Sequence, residues 1–124
     1  MLPADKYDIA SVEGISKLSS AEIAFLASAL LTWLQDGNWP VAEPLASVLA
    51  RWPQEVLPAV SSILRGDDPI WKYWCIRLLV NALQPQFIQL LKPELETLLL
   101  NPSPPEELEG VNLAAQEALA KCAC

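Results

Sequence analysis

The sequence contains no histidine. That one absence excludes Ser-His and Cys-His nucleophile pairs and takes away the commonest ligand of transition metals. Glycine is scarce as well. The four glycines stand apart at positions 14, 37, 66 and 110, each near a helix edge or turn, so no glycine-rich loop is present to cradle a phosphate. Cysteine is limited to Cys75, Cys122 and Cys124, an odd number without regular spacing, which does not describe a disulfide framework. No apolar run approaches the roughly 20 residues that a bilayer-spanning helix needs. The opening Met1 to Asp8 is acidic and interrupted by Pro3, unlike a signal peptide. A cytoplasmic protein without a membrane partner is expected. Basic residues are outnumbered 8 to 15, giving a net charge of −7, and such a surface repels phosphate backbones, so nucleic acid is not an expected partner. No metal, cofactor or catalytic residue is expected.

What the chain has in quantity is core. Of its 124 residues, 52% are hydrophobic and five are tryptophan. A chain of this length forms one domain and buries about two thirds of its unfolded surface, without staples. Charge is unevenly placed. Residues 1–36 and 84–124 are acidic, while in residues 37–83 Glu43, Glu55, Asp67 and Asp68 are balanced by Arg51, Arg65, Lys72 and Arg77. That middle third reads either as a polar binding strip or as a solvated surface.

Proline, glycine and capping signals divide the chain into helix-length pieces, and no segment alternates with the period of a strand. A short helix is expected from Asp8 to Leu18, with Asp8 as cap. Ser19 and Glu22 have capping-box spacing and open a second helix that runs to about Gln35, carrying Ile23, Leu26, Leu30, Leu31 and Leu34 on one stripe. Asp36-Gly37-Asn38 breaks it. Further helices are expected over Pro40 to Trp52, loosened by Pro44, and over Pro53 to Arg65. The next runs from Asp68 or Pro69 to Leu83, with Trp71, Trp74, Cys75, Leu78, Leu79 and Ala82 as its stripe. Tyr73, Ile76, Val80 and Leu83 lie outside that stripe, so the helix is expected to be buried on two sides. Another covers Pro85 to Asn101, bent at Pro93. Pro102 to Pro105 is a stiff linker before a last helix from Pro105 to Lys121.

Three of these helices repeat one spacing: Val41, Leu45, Leu49; Trp71, Cys75, Leu79; and Val111, Ala115, Leu119. The middle copy, Asp68-Pro69-Ile70-Trp71-Lys72 followed by Cys75 and Leu79, resembles the second helix of a HEAT repeat. The outer copies depart from it, with Asn38-Trp39-Pro40-Val41-Ala42 lacking the basic residue and Gly110-Val111-Asn112 in the third. The resemblance implies an all-α, HEAT-like alpha-alpha superhelix of about three helical hairpins (19–52, 53–83 and 85–121) behind an N-terminal cap (1–18), all one domain over residues 1–124. A second resemblance rests on Trp33-Leu34-Gln35-Asp36-Gly37-Asn38-Trp39-Pro40-Val41-Ala42, on Trp71-Lys72-Tyr73-Trp74-Cys75-Ile76, and on the Leu2-Pro3 and Asp5-Lys6 opening. These look like an uncharacterised family of small bacterial helical proteins. That likeness implies a bacterial source and a compact helical fold, and it brings no activity.

The remaining chemistry is sparse. Asp67-Asp68 and Glu106-Glu107 stand at expected helix starts, where negative charge suits the helix dipole better than acid–base work. Cys122-Ala123-Cys124 supplies only half of a tetrahedral metal site. Trp39, Trp71 and Trp74 lie near the starts of neighbouring second helices and read either as core or as interface hot spots. The expected function is a non-catalytic protein-interaction domain, a monomer or weak dimer, that contacts its partner through Asn38, Trp39, Lys72, Tyr73 and Arg77. An immunity-type inhibitor of a basic toxin is one form of it. The alternative is a small-molecule or enzymatic pocket between helices, using Asp36, Asn38, Lys72 and the tryptophans.

Overall fold

Ser19 sets the start of the first long helix. Its hydroxyl accepts the Glu22 N–H at 3.2 Å, and the Glu22 carboxylate accepts the Ser19 N–H at 3.0 Å, the reciprocal pair that the Ser-x-x-Glu spacing implies. These bonds, the one from the Ser19 backbone first, hold the Glu22 carboxyl below its ordinary value. In the computed structural model, which describes residues 2–122, this cap opens α2 (Ser20–Leu31), and α1 (Ala10–Ser16) precedes it. Asp8 does serve α1, one position ahead of the formal cap: its Oδ1 accepts the Ser11 N–H at 3.3 Å.

The other helices are α3 (Ala42–Leu49), α4 (Pro53–Leu64), α5 (Pro69–Trp74), α6 (Pro85–Leu90), α7 (Lys92–Leu100), α8 (Pro104–Leu108) and α9 (Val111–Cys122). A 3₁₀ turn, Thr32–Leu34, extends α2. A wide π turn, Cys75–Leu79, and a 3₁₀ turn, Val80–Ala82, extend α5. The described residues contain no strand.

Several boundaries differ from expectation for local reasons. Because α3 begins at Ala42 rather than Pro40, Pro44 is its third residue. Backbone N–H groups of the first turn have no intrahelical partner, so the proline costs nothing there. The helix expected to bend at Pro93 is divided at Leu91, and Pro93 becomes the second residue of α7. The last helix is divided too. Gly110 adopts φ 79°, a left-handed conformation that an L side chain resists, and the stretch before it winds as α8 under a Ser103–Glu106 capping box.

The α5 extension is buried on two sides, as its apolar circumference implies, but burial within the expected stripe is uneven. Cys75, Ile76, Leu79 and Val80 are fully buried, Trp71, Trp74 and Leu78 are half-buried, and Ala82 is exposed while Leu83 is buried. A π turn holds one residue more than an α turn, so each later residue lags by about 100°. Val80 and Leu83 thereby take the directions that a regular helix would give to Leu79 and Ala82.

Side chains from every long helix share one core. Ile23, Leu30 and Leu31 enter from α2, Leu45 and Leu49 from α3, Val56 and Val60 from α4, Leu95 from α7, and Val111, Ala115 and Ala118 from α9. Helix α2 lies on α4 and α4 on α7. Helix α3 lies on the π turn, and α5 with its extension lies on α9. α1 packs on α3, and α8 touches both α5 and α9. All nine repeat-spacing residues reach the core, with Trp71 and Leu119 at its margin.

Candidate functional site

The five residues of the expected contact edge do not converge on one spot. Asp36 organises the turn that carries the first two: its Oδ1 accepts the Asn38 N–H at 2.9 Å and its carbonyl accepts the Trp39 N–H at 3.1 Å. Asn38 is left exposed. Trp39 is half-buried, its ring edge-on to Trp33 at 6.0 Å. Both line a depression of about 530 Å³ with Glu43, Pro44 and Ser47.

Trp74 touches both this turn and Tyr73. Gly37 lies flush against its indole ring, where any side chain would overlap the ring atoms. Tyr73 packs edge-on to the same indole at 5.0 Å. Arg77 sits over the Tyr73 ring at 5.8 Å and reaches Glu117 at 3.4 Å. Glu117 also accepts from Asn81 at 3.2 Å, and Lys121 donates to the Asn81 carbonyl at 3.1 Å, so α9 is tied along this side of the α5 extension. Tyr73 and Arg77 line a second depression, of about 380 Å³, with Leu108, Gly110, Leu113 and three acids, Glu107, Glu109 and Glu117.

Lys72 belongs to neither depression. Only 4% of it is exposed, and its ammonium is hydrogen-bonded to Glu106 of α8 in a buried ion pair. Burial by itself would raise the Glu106 carboxyl. The Lys72 hydrogen bond, the Ser103 backbone and the Lys72 charge outweigh it and hold the group below its ordinary value. Helix α8 has no buried residue of its own, so this pair is its deepest attachment to the body. Lys72 is therefore a structural anchor beneath the surface rather than part of it.

The tryptophans are dispersed. The Trp71 indole N–H donates to the Leu31 carbonyl at 2.9 Å, supplying a partner for the end of α2 from 40 residues away. Trp71 also lines a cleft of about 610 Å³ between α2, α4 and the start of α5, with Ser28, Gln35, Ala59, Ser62, Ile63, Gly66, Asp67, Asp68 and Pro69. Asp36, Asn38 and Lys72 are not in that cleft, so the structure does not bring together the set of residues expected for a pocket.

Sequence reading missed Leu108 and Leu113, which are 84% and 64% exposed. The available signal was local: Leu108 stands alone among acids in Glu106-Glu107-Leu108-Glu109, with no apolar neighbour at helical spacing before the Gly110 break. Cys75 is fully buried, and burial pushes its thiol up to about 12, so it acts as a small apolar side chain. Cys122 is buried, with its Sγ 4.0 Å from the Pro85 carbonyl, and Cys124 lies outside the described residues. Among the described residues no cluster of three or more Cys, Asp or Glu is placed to hold a metal ion, and no helix is long and apolar enough to cross a membrane.

A helical bundle with an acidic, partly aromatic surface is the class that these features define. Within it, the chain belongs to the DUF5071 family, a domain of unknown function whose family model matches residues 1–119. No curated protein matches the chain.

Proposed function

We propose that the chain is a non-catalytic protein-binding domain, built of three helical hairpins stacked in the manner of HEAT repeats, that acts through the face where the α5 extension meets the α8–α9 corner. The stacking is supported by the order of packing: α2 on α4 on α7 forms one row, and α3 on the α5 extension on α9 forms the other. Stacks of this kind work by presenting a surface rather than by chemistry.

One observation carries the functional reading. Leu108 and Leu113 stand exposed beside Tyr73 in a single depression whose rim holds Glu107, Glu109 and Glu117. Isolated exposed leucines are ordinary, but two of them around an aromatic ring inside a charged rim have the anatomy of an interface centre. The acidic rim and the net charge of −7 favour a partner with a basic surface, and an immunity-type inhibitor of a basic toxin is one such arrangement.

Affinity capture from the source cells tests this, using the wild-type chain and a Leu108→Ser, Leu113→Ser variant with unchanged circular dichroism. A partner held by the wild type and weakened about tenfold or more by the variant is the expected result. An identical captured set from both would overturn the proposal.

A further inference from the structure

We propose that the cleft between α2, α4 and the start of α5 is a binding site for an organic cation, an ammonium group carried on an apolar body. It is distinct from the Tyr73 face. Trp71 and Tyr73 are two residues apart on one helix, hence about 200° apart around it.

The shape is prepared by small residues. Ser28 on α2, Ala59 and Ser62 on α4, and Gly66 beyond its end leave about 610 Å³, within the range of small-molecule sites, roughly 300–1,000 Å³. Trp71 forms a fixed wall, because its indole N–H is held by the Leu31 carbonyl at 2.9 Å. With Ile63 and Pro69 it offers an apolar surface to the body of a ligand.

The sign of the ligand's charge follows from the rest of the lining. Among the described residues, Asp67 and Asp68 are the only charged ones that line it, and no lysine or arginine does. Asp68 is engaged, accepting the Trp71 N–H at 3.1 Å as the cap of α5. Asp67 has no ion pair or side-chain hydrogen bond among the described residues. Ser62 and Ile63, in the last turn of α4, line the cleft, and the C-terminal end of a helix carries partial negative charge. A carboxylate free of partners beside an apolar, aromatic-walled cleft is complementary to an ammonium head with a hydrocarbon body. An anion is repelled there, and a neutral molecule forgoes the charge pairing with Asp67.

The cation can come from a free amine or from a lysine side chain of a protein, and one titration separates the two. Amide shifts of the ¹⁵N-labelled full chain are followed with phenethylammonium, 2-phenylethanol, 3-phenylpropionate and blocked lysine (N-acetyl-lysine amide). Saturable shifts at Ala59, Ser62 and Gly66 are expected with the ammonium compounds. Asp67→Asn should weaken them about threefold to fivefold, the contribution of one solvent-accessible charge pair. Ala59→Leu, which fills the cleft with an apolar side chain, should abolish them while the helical circular dichroism is kept. Tighter binding of phenethylammonium assigns the site to a free amine, and tighter binding of blocked lysine assigns it to a protein side chain. Equal binding of the alcohol or the carboxylate, unchanged binding in either variant, or no shift with any cation would overturn the proposal. The Leu108→Ser, Leu113→Ser variant should bind the cation normally, so this site and the protein-binding face can fail independently.

Discussion

Lys72 and Glu106 show what one pair of side chains decides. Two nearly buried charges stabilise only as a pair, and removing one leaves the other without a counter-charge. Glu106→Gln is expected to cost about 2–4 kcal/mol, measured by urea unfolding. It should also change the pH dependence. The folded Glu106 carboxyl lies below its ordinary value of 4.5, so its contribution is fully present above that pH and is lost as pH falls through the lower folded value. Wild type should therefore lose stability on acidification below about pH 4.5 more steeply than Glu106→Gln, and equal slopes would show that the pair carries no linkage. A second residue-scale prediction concerns Gly37, where a methyl group would enter the Trp74 ring. Gly37→Ala should destabilise by about 1–3 kcal/mol, the usual cost of overpacking, and a thermal melt unchanged from wild type would contradict the close approach. Neither contact could be read from sequence. Lys72 and Glu106 are 34 residues apart, and in a helix whose surroundings are unknown a lysine reads as a surface residue.

Helix starts are where sequence and structure agree most closely, because their chemistry is local. Ser19 with Glu22 makes the cap that its spacing implies, and the prolines of α3 and α7 fall within first turns, where proline is tolerated. Interiors were less legible. No residue type marks the π turn at Cys75–Leu79, which packs against both α3 and α9, and the shift it introduces turns Val80 and Leu83 toward the core. The Gly110 break was visible as a glycine but not as a left-handed turn, since only the neighbouring helices fix its φ. Two substitutions weigh these elements. Ser19→Ala removes a cap and should cost about 1 kcal/mol. Trp71→Phe keeps an aromatic ring, though a smaller one, and removes the indole N–H that donates to the Leu31 carbonyl, and should cost about 1–2 kcal/mol. Chemical denaturation measures both, and a neutral Trp71→Phe would mean that the Leu31 carbonyl is satisfied without the indole.

For the molecule as a whole, the all-helical class followed from periodicity, and the recurrent triplets at Val41, Trp71 and Val111 correctly marked helix faces that reach the core. The binding face was half legible. Tyr73 and Arg77 lie on it, Asn38 and Trp39 line a different depression, and the leucines that give it an apolar centre come from a corner whose exposure depends on the fold. That face exists only if α9 is packed along the α5 extension and the hairpins follow one another in two rows. Methyl–methyl nuclear Overhauser contacts in the full-length chain test this directly. The account predicts contacts from α2 to α4 and from α4 to α7, and separately from α3 to Cys75–Leu79 and from there to α9. Contacts joining α2 to α7, or none between α5 and α9, would contradict it.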